Sequence, residues 1–168
     1  RRYLTETCAA HGFDLILRPQ FLVPNAARNI GLAKADTKYV VFLDNDVIVE
    51  PAWLDRLIDC AETEGADIVG PLCLQGEISE DFLHTMGGML PTEPRDGKIY
   101  IWESRYDELI YSENDPERLK RLPTDYSEFH CALVRRSVFD RLGPLDEQIA
   151  GTAEYIDLAL HLRRLGGL

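Results

Sequence analysis

The chain has 168 residues and a net charge of −11, from 29 acidic and 18 basic side chains. That balance argues against a nucleic-acid binder, whose affinity comes from clustered Lys and Arg on phosphate, and disfavours docking to an anionic membrane surface. Apolar residues make up 45% of the chain, which suits one globular domain, and no run reaches the ~20 apolar residues that a membrane span needs.

Arg1 and Arg2 lead into a polar segment rather than the apolar core of a signal peptide. Cys8, Cys60, Cys73 and Cys131 include no C-x-x-C pair. They read as small buried residues in a reducing compartment. The cytoplasm is the expected location, with any membrane contact, at its inner face, made by parts of the protein outside this chain.

In chain order, residues 1–10 suit a short helix that packs Leu4 and Cys8. Phe13 to Leu17 is a short apolar run of strand type, stopped by Pro19. Pro24 to Ala35 reads as a helix, with the proline in the first turn, where a missing N–H costs little. Val40 to Leu43 is a β-branched and aromatic run expected as a buried strand. A helix follows Pro51 and places Leu54, Leu57, Ile58 and Ala61 on one face. Gly65 ends it, and Ala66 to Leu74 returns to strand.

This alternation predicts an α/β layer with a mostly parallel sheet. Residues 75–126 break it with prolines, Gly87-Gly88 and mixed charge, and read as an insertion of loops and short strands, Lys98 to Trp102 among them. Phe129 to Val134 is then a strand, Ser137 to Leu142 a short helix, Gly143-Pro144 a turn, and Ala153 to Leu165 a last helix. The chain is thus expected to be one domain, with residues 1–74 and 127–168 flanking the variable 75–126.

The segment Tyr39-Val-Val-Phe-Leu-Asp44-Asn45-Asp46 ends an apolar strand in two carboxylates. In open α/β sheets, ligands sit outside the carboxyl ends of strands. The two acids stand roughly 6–7 Å apart in extended chain, which suits a hard divalent cation carrying phosphate oxygens. A solvated Asx-rich turn is the plainer reading. An EF-hand does not fit, because Val49 stands where that loop needs glycine.

Upstream, Arg28 suits a phosphate or a nucleobase and Asn29 suits holding a loop, unless both simply line a polar helix face. On the last helix, Glu154, Asp157 and His161 share a stripe. Glu154 lies in the first turn, where the helix dipole favours negative charge, and a carboxylate facing a cleft there suits a general base. His130 is either a satisfied core histidine or a wall of the site.

The stretches Asn25–Leu57, Phe129–Ile149 and Ala153–Gly166 together resemble glycosyltransferase family 2, the inverting transferases of GT-A fold. The resemblance covers the first and last thirds of the chain and hardly touches the middle. It implies a nucleotide-diphospho-sugar donor and a carbohydrate or other hydroxyl acceptor. Asp44-Asn45-Asp46 resembles the family's D-x-D motif, with Asp46 and Asp44 on Mn2+ or Mg2+ and Asp44 also near the ribose. Arg28 and Asn29 match the segment beside the nucleotide, and Asn45 and His130 fall with the substrate-binding set.

The family's base usually belongs to an E-D-x-D pattern, but Tyr155 stands at its second position here. A phenol with a pKa near ~10 is a poor base at neutral pH, so Glu154 and then Asp157 are the candidates. No base-binding strand of the family type precedes Arg1, so a piece truncated at its N-terminus is expected. Two alternatives remain: a nucleotide-sugar-binding domain without turnover, and a haloacid-dehalogenase-type phosphatase with Asp44 as nucleophile and Asp46 as acid/base.

Overall fold

The computed structural model describes residues 1–76, 82–106 and 120–166. Helix α1 (Arg2–His11) is followed by α2 (Pro24–Leu32), strand β1 (Tyr39–Leu43), α3 (Trp53–Glu64) and β2 (Ile68–Val69). The middle contributes short strands β3 (Cys73–Gln75), β4 (Phe82–Thr85), β5 (Gly88–Met89), β6 (Thr92–Arg95), β7 (Lys98–Ile101) and β8 (Ser104–Arg105). Strand β9 (Cys131–Arg135), α4 (Arg136–Leu142) and α5 (Glu154–Arg164) close the described fold.

The principal sheet has the order β1-β9-β2. Strand β9 pairs antiparallel with β1, from Tyr39 opposite Arg135 to Leu43 opposite Cys131, and antiparallel with β2. The expected mostly parallel sheet is therefore corrected. Strands β1 and β2 do share a direction, as two strands joined through the crossover helix α3 should. The strand returning from the middle segment lies between them and runs the other way. The remaining sheets are antiparallel pairs, β3-β4, β5-β8 and β6-β7, in keeping with an insertion of short strands.

Side chains of a strand alternate between faces, and the core divides accordingly. Val40, Phe42, Ala132 and Val134 pack with Leu32, Val138, Phe139, Leu158 and Leu162, so α2, α4 and α5 cover one face. Tyr39, Val41, Cys131 and Leu133 pack with Leu57 and Ala61 of α3 on the other. A third cluster of Leu90, Tyr126 and Ala159 seats the middle segment against α5. Arg163 reinforces it by donating to the Leu90 carbonyl at 2.9 Å.

Several expectations shift in detail. Helix α1 forms but buries none of its residues, Leu4 and Cys8 included. Phe13 to Leu17 is not a strand: it finds no ladder partner among the described residues, and Phe13 remains 65% exposed. Gly65 ends α3 in the left-handed conformation that favours glycine. The buried face of α3 runs through Leu57 and Ala61 while Leu54 stays half-exposed. The run from Ala66 to Leu74 splits into β2 and β3 around Gly70-Pro71, since proline has no N–H for a ladder.

All four cysteines are free. Burial raises the Cys73 thiol to about 11, far from the reactive range. No helix among the described residues is long and apolar enough to cross a membrane.

Leu133 is fully buried between β1, β2 and α3. Leu133→Ala is expected to lower stability by about 2–5 kcal/mol. Ile99→Ala, at a site 71% exposed, is expected to stay within about 0.5 kcal/mol. Urea unfolding of the two variants checks the assigned core.

Candidate active site

The site is organised on one face of α2. Asn25, Arg28 and Asn29 fall at i, i+3 and i+4, so their side chains leave the helix together. Asn25 is 1% exposed and donates through Nδ2 to the Asp146 carbonyl at 2.8 Å. Asn29 donates to the Leu145 carbonyl at 2.9 Å and to Glu147 at 3.0 Å, and its Oδ1 accepts from the Leu145 N–H at 2.9 Å. The two amides clamp the turn after α4 to α2. Asn29 thus holds a loop, with its amide committed to protein partners.

Arg28 stands between these clamps. Its Nη1 donates to Asn25 Oδ1 at 3.3 Å and to Glu154 Oε1 at 3.4 Å. Its Nη2 lies 3.7 Å from Asp44 Oδ1. The guanidinium is stacked over the Phe129 ring, 4.6 Å from the centroid, a favourable cation–π placement. One cation therefore serves a carboxylate at the end of β1 and another at the start of α5.

Asp44 leaves the sheet at the point where its N–H still donates to the His130 carbonyl, at 3.0 Å. Its Oδ2 is 3.1 Å from His130 Nδ1. Asn45 and Asp46 follow in an exposed turn. Arg28, Leu32, Val40, Phe42, Asp44 and Asn45 line an open groove of about 540 Å3 between α2 and β1. A hard divalent ion takes carboxylate and phosphate oxygens. The oxygen donors of Asp44, which lines the groove, and of Asp46, exposed two residues on, fit such an ion chemically.

Helix α5 turns its carboxylates differently from the expected single stripe. Glu154 is 6% exposed and lies on the buried side with Leu158 and Leu162. Asp157 is half-buried, near His161 Nδ1 at 3.4 Å. Burial and then a 2.8 Å hydrogen bond to Glu103 push the Tyr155 phenol far above its ordinary range. Tyr155 is therefore no proton acceptor, and Glu154 remains the carboxylate that meets Arg28.

His130 is half-buried and meets Asp44. Its Nε2 is 3.1 Å from Glu128 Oε2 and 3.2 Å from His84 Nε2. Sequence reasoning passed over both partners. Glu128 lies two residues before His130, and the turn at Phe129-His130 brings their side chains together. His84 sits in the middle segment, where no periodicity marks it.

The sequence model of glycosyl transferase family 2 matches residues 3–143. The chain belongs to glycosyl transferase family 2. Membership implies the GT-A fold, in keeping with the α/β layers described, and it supports a transferase acting on a nucleotide-sugar donor and an acceptor. No curated protein matches the chain. The family assignment sets aside the phosphatase-like reading of Asp44 and Asp46. In this family 2 domain the match spans α2, which carries Arg28, and β1 and β9, which Asp44 follows and His130 precedes.

Removing the shared cation tests the network. Arg28→Met leaves Glu154 buried and uncompensated and is expected to cost roughly 3–5 kcal/mol. Combining it with Glu154→Gln is expected to recover a measurable part of that loss, because neighbouring changes couple. Chemical denaturation of the two single variants and the double variant reads this directly.

Proposed function

We propose that this family 2 domain transfers a sugar from a nucleotide-diphospho-sugar to an acceptor hydroxyl with inversion at the anomeric carbon. The observation that carries the reading is Arg28, held between Asp44 at the head of the groove and Glu154 at the start of α5. A guanidinium there binds the donor's phosphates in fork geometry. Asn25 and Phe129 keep it aimed. Asn45 lines the same groove, where it would meet the donor, and His130 braces Asp44 from the other side.

Asp44 and Asp46 hold Mn2+ or Mg2+ in this reading, which supplies positive charge where the leaving diphosphate develops its negative charge. Glu154 accepts the proton from the acceptor hydroxyl, with Asp157 one turn further along α5 as the second candidate. The acceptor oxygen bonds to the anomeric carbon from the face opposite the diphosphate. The carbon–diphosphate bond breaks with its electron pair going to the leaving group, which gives inversion.

A second reading is a nucleotide-sugar-binding domain without turnover. It is favoured by Tyr155, a phenol committed to Glu103 at the position where the family usually has a carboxylate.

Titration with UDP and GDP, with and without Mn2+, followed by assay for sugar-nucleotide hydrolysis, separates the two. Asp46→Ala is expected to remove the metal-dependent part of nucleotide binding. Glu154→Gln is expected to preserve binding and lower turnover by about 100-fold or more, the usual scale for a general base. Full turnover in Glu154→Gln moves the base to Asp157, and metal-dependent binding without hydrolysis or transfer favours the binding domain.

A further inference from the structure

Beyond the oxygen donors of Asp44 and Asp46, the described residues contain a trio whose ligand atoms all lie within 4.8 Å of one another: His84, Glu128 and His130. We infer that this trio is a binding site for a first-row transition cation, with Zn2+ the best fit to its donors. This inference rests on the trio alone and does not require the transferase reading.

The spacing is the first support. A tetrahedral ion with bonds of about 2.0–2.1 Å to nitrogen and oxygen has ligand–ligand edges of about 3.3–3.4 Å. His130 Nε2 stands 3.2 Å from His84 Nε2 and 3.1 Å from Glu128 Oε2. Two imidazoles and one carboxylate form a set that zinc accepts readily and Mg2+, which seeks oxygen, does not.

Orientation of the ligands is the second. With its proton on Nδ1, His130 donates to Asp44 Oδ2 at 3.1 Å. That arrangement leaves the Nε2 lone pair turned toward Glu128 and His84. A carboxylate that fixes the tautomer of a ligating histidine is the usual support around a bound metal.

Glu128 is the third. Its side chain is only 11% exposed, and its Oε1 is buried without a hydrogen bond among the described residues. Arg105 Nη1 stands 3.8 Å from that oxygen, too long for a hydrogen bond. Arg105 also donates to the His84 carbonyl and so ties β4 to the site. Burying a carboxylate is costly without a close positive partner, and a divalent ion among these three donors would provide one. Three protein donors leave a coordination position open to water or to a ligand oxygen. Through Asp44, which both lines the groove and meets His130, the trio is linked to the groove.

The test uses the full chain stripped of metal with a chelator. Zn2+ is followed by calorimetry and Co2+ by its visible absorption. The expected result is one equivalent of Zn2+ bound, Co2+ bands of four-coordinate intensity, and no displacement by millimolar Mg2+. His84→Ala and Glu128→Gln are each expected to weaken Zn2+ at least 10-fold. Asp44→Asn should weaken it about 10–100-fold through His130, and Asp46→Ala should leave it unchanged.

Circular dichroism melts accompany each variant. Glu128→Gln, which preserves side-chain size, carries the test should His84→Ala fail to fold. Absence of stoichiometric Zn2+ binding, or binding unchanged in Glu128→Gln, overturns the inference. So does loss of the tight, Mg2+-resistant equivalent in Asp46→Ala, which assigns that ion to the Asp44–Asp46 pair instead. The UDP and GDP titrations do not involve His84, so failure of the zinc site and failure of the transferase reading are separable.

Discussion

The architecture of this family 2 domain turns on Arg28. Its guanidinium meets Asp44, Glu154 and Asn25 and lies over Phe129. These partners come from β1, α5, α2 itself and the approach to β9, so one side chain joins every element that walls the site. A buried carboxylate such as Glu154 persists only beside a positive partner. Its place at the start of α5 adds the favourable end of the helix dipole. Strand, helix and turn are thereby arranged about a charge that none of them satisfies alone.

The chain is acidic as a whole, at −11, yet its polar interior is laid out around a few arginines. Arg28 serves the groove, Arg105 serves Glu128 and His84, and Arg163 holds Leu90 and Asp125. Planar guanidinium groups suit this work because each can address two or three acceptors at fixed angles. Most carboxylates are exposed, and the buried Glu154 sits beside Arg28.

Much of this was legible in the sequence. The apolar run ending in Asp44 is a strand with its acids at the carboxyl end, and α2, α3, α4 and α5 lie close to the expected spans. Periodicity reports burial, and these segments are amphipathic, so the signal was strong. Sheet direction was not legible, because nothing local in Cys131–Arg135 says that it returns between β1 and β2. The Phe13–Leu17 run has the composition of a strand, but a strand exists only with a partner.

On α5, sequence spacing put Glu154 with Asp157 and His161. The partner Arg28, far away in the chain, instead draws Glu154 to the buried side. His84 was invisible for the same reason: its meaning comes from residues brought to it by the fold. The family resemblance read from the motifs, by contrast, needed only local patterns and their order, and the match over residues 3–143 agrees with it.

The hydrogen bonds that close the groove join residues very far apart along the chain. Arg28 and Glu154 are separated by 126 positions, and Asn25 reaches a carbonyl 121 positions on. Closing so long a loop costs entropy before any contact rewards it. During synthesis, α2 and β1 emerge long before the turn that clamps them and the helix that answers Arg28. Asn25 and Asp44 are near Arg28 in the chain, but Glu154 and Phe129 reach it only once the last third of the polypeptide has been made.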